Sequence, residues 1–357
     1  MTLFGRAVDR EAVRRLAGHP DQLAGAELSV REDGTARGVR VVRLRTGEID
    51  VDVVVDRALD LGAASVRGVP VAWLSPTGLA APGLADPHGY GTFRTFFGGL
   101  LTTCGLEHTL GPAEDDASHF AYPGFDRQEF PLHGRLSTTP ARLLRCGLDL
   151  DAGVVVVEGE VRQASVFGEH LVLTRRIEAD VGGRELRIDD VVRNEGYAPT
   201  PQLVLYHVNA GWPVVGPGCE VVAAAGAPRV ATPAAEGHDW RRVGEPGSGP
   251  VERVWEHTPR AGHAAVLNAD IGDGRAAGLE VAWDLEALPR LFQWTVAGEG
   301  HYVVGLEPGN LEIEGRHAAR AAGRLPVLAP GEARAYRLRL RLLHGADDVV
   351  AARARAV

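Results

Sequence analysis

Two short stretches interrupt apolar strands with residues that can move a proton. In "LVLYHVNAGWPVV", residues 203–215, strand alternation puts Leu203, Leu205, His207 and Asn209 on one face and Val204, Tyr206 and Val208 on the other. In "HYVVGLEPGN", residues 301–310, it groups His301, Val303, Gly305 and Glu307 against Tyr302, Val304 and Leu306. Each strand therefore has a face that turns polar toward its C-terminal end, as a pocket wall would. An imidazole and a carboxylate there suit general acid–base chemistry. Glycine at 305 leaves room for a ligand, and Pro308 keeps Glu307 in extended backbone. The structural alternatives are a His207 hydrogen-bonded in a rim, an Asn209 that makes a turn, and a Glu307 paired with an arginine. A carboxylate ending an apolar run is costly unless it is paired or used.

Other stretches add candidates. "FPLHGRLSTTPA" places His133 and Arg135 on one face before a small polar turn. "FRTFFGGLLTTCGLEH" carries Arg94, Gly98-Gly99, Cys104, Glu107 and His108 on a tight, irregular path. "RLFQWTV" offers Gln293 and Trp294, and an indole is a good stacking face for a sugar ring. Trp73, Trp212 and Trp283 are weaker candidates, expected in the core.

Composition narrows the chemistry. The chain has 357 residues, 45% of them hydrophobic, enough for a sizeable core. Its net charge of −9 argues against nucleic acid as a partner. No apolar run approaches the ~18 residues of a membrane span, and "MTLFGRAVDREAVRRL" lacks the apolar core of a signal peptide. Three widely spaced cysteines fit reduced thiols better than a disulfide framework, so a cytoplasmic location is expected. All 38 basic residues are arginine. The absence of lysine excludes Schiff-base catalysis through an enzyme lysine, lysine-anchored pyridoxal phosphate and the Walker phosphate loop. C-x-x-C, H-E-x-x-H, G-x-S-x-G and helix-opening G-x-G-x-x-G motifs are also missing.

The elements that must position these residues are mostly strands. Residues 9–18 read as one short helix with Asp9 as N-cap and His19-Pro20 ending it. More than a dozen alternating or β-branched segments follow, with "DVGGRE" as a hairpin turn. The pattern predicts an all-β sandwich or barrel. No composition shift marks a linker, so residues 1–357 are expected to form a single domain. The Pro/Gly/Ala-rich stretch 216–249 reads as an excursion with some strand content.

"GGLLTTCGL", "HGRLSTTPA", "YHVNAGWP" and "GLEPGN" occur in this order between "DRALDLG" and the closing "LAPGEARAYRLRLRL". The chain thereby resembles the galactose mutarotase-like (aldose 1-epimerase) superfamily, and within it a group of epimerase-like proteins of unknown function. The resemblance implies a large antiparallel β-supersandwich with minimal helix and a site in its concave face. It further implies that His133 contacts the sugar near its ring oxygen, that His207 is the general acid, that Glu307 is the general base and that Arg94 binds substrate. Anomers would interconvert by ring opening, with a small-molecule sugar as substrate and no metal, nucleotide or other cofactor.

An acid must be protonated. At a reference value near 6.5, His207 needs a neighbouring anion or hydrogen bond to raise its pKa. Asn209 is expected to bond the substrate or His207. Three alternatives stay open: a lyase or other epimerase on the same fold, a non-catalytic sugar-binding protein, and a metal site built from some of the 13 histidines.

Overall fold

The computed structural model describes residues 1–3 and 5–356. Two large antiparallel sheets dominate. The eight-stranded sheet runs Arg142–Asp149, Val154–Ala164, His170–Asp180, Glu185–Asn194, Ala333–His344, Ala277–Trp283, Pro259–Asn268 and Glu220–Ala225, in spatial order. The eleven-stranded sheet runs Arg229–Val230, Glu252–His257, Arg290–Gly298, His301–Gly309, Leu203–Gly211, Leu101–Leu106, Asp60–Val66, Ile49–Val54, Arg40–Arg45 and Gly25–Val30. Its eleventh member, Val69–Pro70, pairs with Asp60–Val66 off that path. This is the expected antiparallel β-sandwich. The hairpin at "DVGGRE" is present, closed by Gly183 N–H donating to the Asp180 carbonyl at 2.8 Å. The 216–249 stretch contributes the Glu220–Ala225 and Arg229–Val230 strands.

The period-2 pattern decides which residues fill the space between the sheets. Val204, Tyr206, Val208 and Ala210 point into the main core, together with Val53, Leu61, Leu173, Ile177, Leu338 and Leu340. Beneath the His207 strand that core holds charge. Arg175, fully buried, reaches Asp190 at 2.7 and 2.9 Å, Asp60 at 3.1 Å and Thr103 Oγ1 at 2.8 Å. Tyr206 donates its hydroxyl to Asp190 at 2.7 Å. These bonds pin three strands of the large sheet to the strands facing them. Arg57 ties the turn after Val54 to the loops at the rim, donating to Thr95 O at 3.0 Å, Ala80 O at 3.2 Å and Ser137 O.

The N-terminal helix covers Arg10–Leu16, with Asp9 Oδ1 capping Ala12 N–H at 2.7 Å. Two further helices, Gly315–Ala321 and Ala346–Arg355, lie outside the sequence expectation. Neither shows a long apolar stripe, since each buries only two side chains: Arg316 and Ala319 in the first, Val349 and Ala352 in the second. No helix among the described residues is long and apolar enough to cross a membrane.

Candidate active site

Register brings the two polar strand ends together. Leu203–Gly211 and His301–Gly309 are hydrogen-bonded neighbours, with Leu205 paired to Gly309, Val208 to Leu306 and Asn209 to Gly305. The same register sets His207 across from Glu307. On the other flank His207 pairs with Thr102 and Leu205 with Cys104. Beyond Glu307 lies Phe292, and beyond Gly305 lies Trp294. Four strands thus converge on one patch of the sheet face turned away from the main core.

His207 Nε2 lies 3.1 Å from Glu307 Oε1. The two residues are 6% and 5% exposed. The approach is not aligned as a hydrogen bond, and Glu307 Oε1 is left without a donor. Gly305 makes this closeness possible. A Cβ there would sit 2.8 Å from Glu307 Oε1, 3.0 Å from His207 Cε1 and 3.3 Å from Trp294 Cε3. Aromatic rings enclose one side, with Trp294 at 5.3 Å and Phe96 at 5.7 Å from the imidazole. Trp73 closes the set, 5.9 Å from Trp294 and 6.0 Å from Phe96. Cys104, Leu205 and Phe292 on these strands form an apolar cluster with Leu110 and Ile313, which lie outside them.

His133 completes the group. Its ring stands perpendicular to His207 at 5.9 Å. The His133-Gly134 dipeptide is left-handed, with φ of 62° and 73°. Close approach explains the glycine, because a Cβ at 134 would meet Gly105 O at 2.5 Å and His108 O at 2.6 Å. Backbone bonds from His133 N–H to Leu110 O (2.8 Å) and from Gly105 N–H to His133 O (3.0 Å) clamp the turn. Leu110 N–H donates to His133 Nδ1 at 3.3 Å, which leaves the ring proton on Nε2.

Burial controls the charges. It pulls His207 down to about 3, with His133 adding to the fall and Asn209 opposing it. It pulls His133 down to about 4. It pushes Glu307 well above the usual carboxylate range, helped by the negative charge of Glu252. This corrects the expectation that a neighbour raises His207. The carboxyl beside it is itself buried and pushed toward its neutral form, so it offers little attraction to set against desolvation. Among the described residues Glu307 pairs with no arginine, so the salt-bridge alternative fails.

Several sequence candidates are engaged elsewhere. Arg94 is exposed and pairs with Asp86 at 2.5 Å. Arg135 bridges Glu107, at 3.1 Å, and Glu169; burial nevertheless raises Glu107 to about 7. His108 donates from Nε2 to Gly111 O at 2.7 Å and stacks on Phe130. Gln293 faces the opposite side from Trp294, donating to Trp240 O at 2.7 Å and meeting His257 at 3.2 Å. Asn209 is fully buried beside His207. Trp212 is exposed and Trp283 lies in the main core, whereas Trp73, expected in the core, stands at the site. Phe96 was not singled out by sequence reasoning; its signal was the aromatic density of "FRTFF". Among the described residues, one surface cleft is lined by Asp86, Thr92, Gly134, Arg135 and Thr139, and another by His238, Arg242, Arg253, Trp255 and Thr295. Neither is lined by His207 or Glu307.

Residues 36–342 match the family described as a domain of unknown function, DUF4432. The chain belongs to that family. No curated protein matches the sequence. Solved structures do match the fold. A protein of Klebsiella pneumoniae subsp. pneumoniae MGH 78578, named provisionally as an aldose 1-epimerase, superposes with a TM-score of 0.82 at 22% identity, covering 94% of this chain and 89% of its own. Galactose 1-epimerase from Lactobacillus acidophilus NCFM gives 0.59 at 14% identity, covering 90% and 99%. A galactose mutarotase-like protein from Clostridium acetobutylicum gives 0.56 at 13%, covering 89% and 98%. At these identities the likeness shows the fold. This DUF4432 chain is galactose mutarotase-like in architecture.

Chemically, the DUF4432 site offers a buried imidazole and carboxyl in contact, a second imidazole with a fixed Nε2–H, and aromatic faces. Among the described residues, no group of three or more His, Cys, Asp or Glu side chains converges as a metal donor set.

Proposed function

We propose that this protein is an aldose 1-epimerase-like isomerase that interconverts the anomers of a sugar by opening and reclosing its hemiacetal ring. The observation that carries the reading is the 3.1 Å approach of His207 Nε2 to Glu307 Oε1 in a nearly dry, aromatic-walled patch. Ring opening needs one group to take the O1 proton while another protonates the ring oxygen O5. Those oxygens share one carbon, so acid and base must lie side by side. A structural ion pair would be aligned and hydrogen-bonded; this one is neither. His133 supplies an Nε2–H donor beside the pair, and Trp294, with Trp73 and Phe96, supplies stacking faces for a sugar ring.

The test is anomer exchange by NMR saturation transfer over a panel of free aldoses and 6-phosphosugars, with His207→Ala as control. The reading expects exchange with at least one sugar, abolished in the control. Sugar binding without exchange across the panel would overturn it in favour of a non-catalytic binding protein.

A further inference from the structure

We propose that the cleft between Arg242 and Arg253 is a second binding site, for a phosphate group carried by a small organic monoester or present as the free ion. It shares no residue with the His207–Glu307 patch, so this inference and the anomer-exchange reading stand or fall separately.

Strand alternation sets the two sites on opposite faces of one sheet. In the register of Glu252–His257 against Arg290–Gly298, Arg253 pairs with Thr295 and Trp255 with Gln293, so these side chains share a face. Val254, Trp294 and Val296 take the other face, where Trp294 lies beyond Gly305 and beside the imidazole. The Pro/Gly/Ala-rich stretch 216–249 folds over the Arg253 face and supplies His238, Arg242 and Ser248, leaving a cleft of about 270 Å³. Its walls are tied down. Gln293 Nε2 donates to Trp240 O at 2.7 Å, Gly247 N–H to Ala297 O at 3.0 Å, and the Tyr302 hydroxyl to Gly244 O at 2.8 Å.

The charges inside are unbalanced. Nearby arginines meet carboxylates: Arg241 reaches Asp239 at 3.7 Å, and Arg229 holds Glu256 and Glu314. Among the described residues, neither Arg242 nor Arg253 forms an ion pair. Arg253 is half-buried, and its guanidinium donates only from Nε, to Ala234 O at 3.2 Å, which leaves both terminal nitrogens over. Two cations in one concavity repel each other, and the half-buried one has lost hydration without gaining a counter-charge. An anion between them removes both costs. Glu245 is the one carboxylate in the described lining; it lies near the Tyr302 hydroxyl and leaves the arginines in excess.

The donors decide the class of anion. Arg242 and His238 come from the folded-over stretch, Ser248 from its end and Arg253 from the sheet. Among the described residues the Ser248 hydroxyl and the Ser248 and Gly249 N–H groups donate to no protein acceptor. Donors arriving from several directions suit a tetrahedral group with three or more acceptor oxygens, and a guanidinium matches two phosphate oxygens at once. A planar carboxylate offers two oxygens and would leave most of these donors unmet. The cleft is larger than the ion, and Val243, Val251 and Trp255 give it an apolar wall, so an organic group has room beside the phosphate.

The experiment is a ³¹P NMR titration of the full chain, at constant ionic strength, with inorganic phosphate and separately with glycerol 2-phosphate, which has no anomeric centre. The expected result is saturable line broadening. Arg253→Gln and Arg242→Gln should each weaken it by about tenfold or more, the loss of a charge-assisted bond. Arg142→Gln, on the opposite edge strand of the eight-stranded sheet, should leave it unchanged. Tighter binding of the monoester identifies an esterified phosphate as the ligand, and tighter binding of inorganic phosphate identifies the free ion. No saturable broadening with either probe overturns the proposal. So does an equal loss in Arg142→Gln, which would mean diffuse surface charge, or loss in His207→Ala, which would put the phosphate in the other site. If Arg253→Gln does not fold, unweakened binding in the exposed Arg242→Gln is sufficient to overturn it.

Discussion

His207 Nε2 and Glu307 Oε1 lie 3.1 Å apart across adjacent strands, and the space beside them is held open by Gly305. The approach depends on three things at once: the register of Leu203–Gly211 against His301–Gly309, a residue without Cβ at 305, and rings that keep water out.

Gly305→Ala is the sharpest probe of that geometry. Its methyl would sit within 2.8–3.3 Å of Glu307, His207 and Trp294. Overpacking of this kind costs about 1–3 kcal/mol. Anomer exchange should fall by ~10²-fold or more from loss of alignment, while the melting temperature drops modestly. Thermal unfolding and saturation transfer on the same sample check both. Unaltered exchange would mean that the pair does not act together.

Glu307→Gln removes the ionisable carboxyl at nearly constant volume. Exchange should fall by about 10²–10⁴-fold. More than about a tenth of wild-type rate in this variant would remove Glu307 from the mechanism.

Stability should vary with pH in opposite senses for the two partners. The pKa of Glu307 is raised in the fold, so its contribution is complete below the ordinary value of 4.5 and is lost as pH rises through the folded value. That of His207 is depressed to about 3, so its contribution is complete above 6.5 and is lost as pH falls toward 3. His133, His108 and His257, depressed to about 4, 3 and 4, add to the acid-side loss. Denaturant midpoints measured from pH 4 to 9 should show Glu307→Gln flattening the alkaline side and His207→Gln flattening part of the acid side.

Arg175 is expected to matter for stability without touching the site. It neutralises Asp60 and Asp190 at full burial. Arg175→Met leaves two buried carboxyls uncompensated and should cost about 3–5 kcal/mol. Urea unfolding measures it; a loss below 1 kcal/mol would show that the aspartates simply take up protons.

Arg94→Ala separates the resemblance from the geometry. With Arg94 exposed on Asp86, the substitution should leave KM for sugar within about twofold and stability within about 0.5 kcal/mol, as for a surface pair. A large rise in KM would bring Arg94 back to the substrate.

Much of the fold was legible in the sequence. Strand alternation is a local property, so "LVLYHVNAG" and "HYVVGLEPG" declared their two faces and the position where each turns polar. Asp9 announced its helix in the same local way. The helices Gly315–Ala321 and Ala346–Arg355 were not legible, because each is anchored by one or two side chains meeting partners far away, such as Arg316 on Asp115 at 2.7 Å and Arg355 on Glu280 at 2.5 and 2.8 Å.

The site divides along the same line. The sequence alone determined which residue types stand on which face: His207 with Asn209, Gly305 with Glu307, Trp294 opposite Gln293. It could not determine who meets whom. The His207 and Glu307 strands are about a hundred residues apart, and their contact exists only in one antiparallel register. Arg135 and His108 had the right chemistry for substrate, but Glu169 and Arg316, distant in the chain, reached them first. Phe96, marked in the sequence only by the aromatic density of "FRTFF", stands beside the imidazole, and Trp73 packs on it and on Trp294. The titration of the pair lies furthest from sequence. Reference values make Glu307 an anion and His207 half-charged near neutral pH, and only burial, which tertiary packing creates, pushes the first up and the second down.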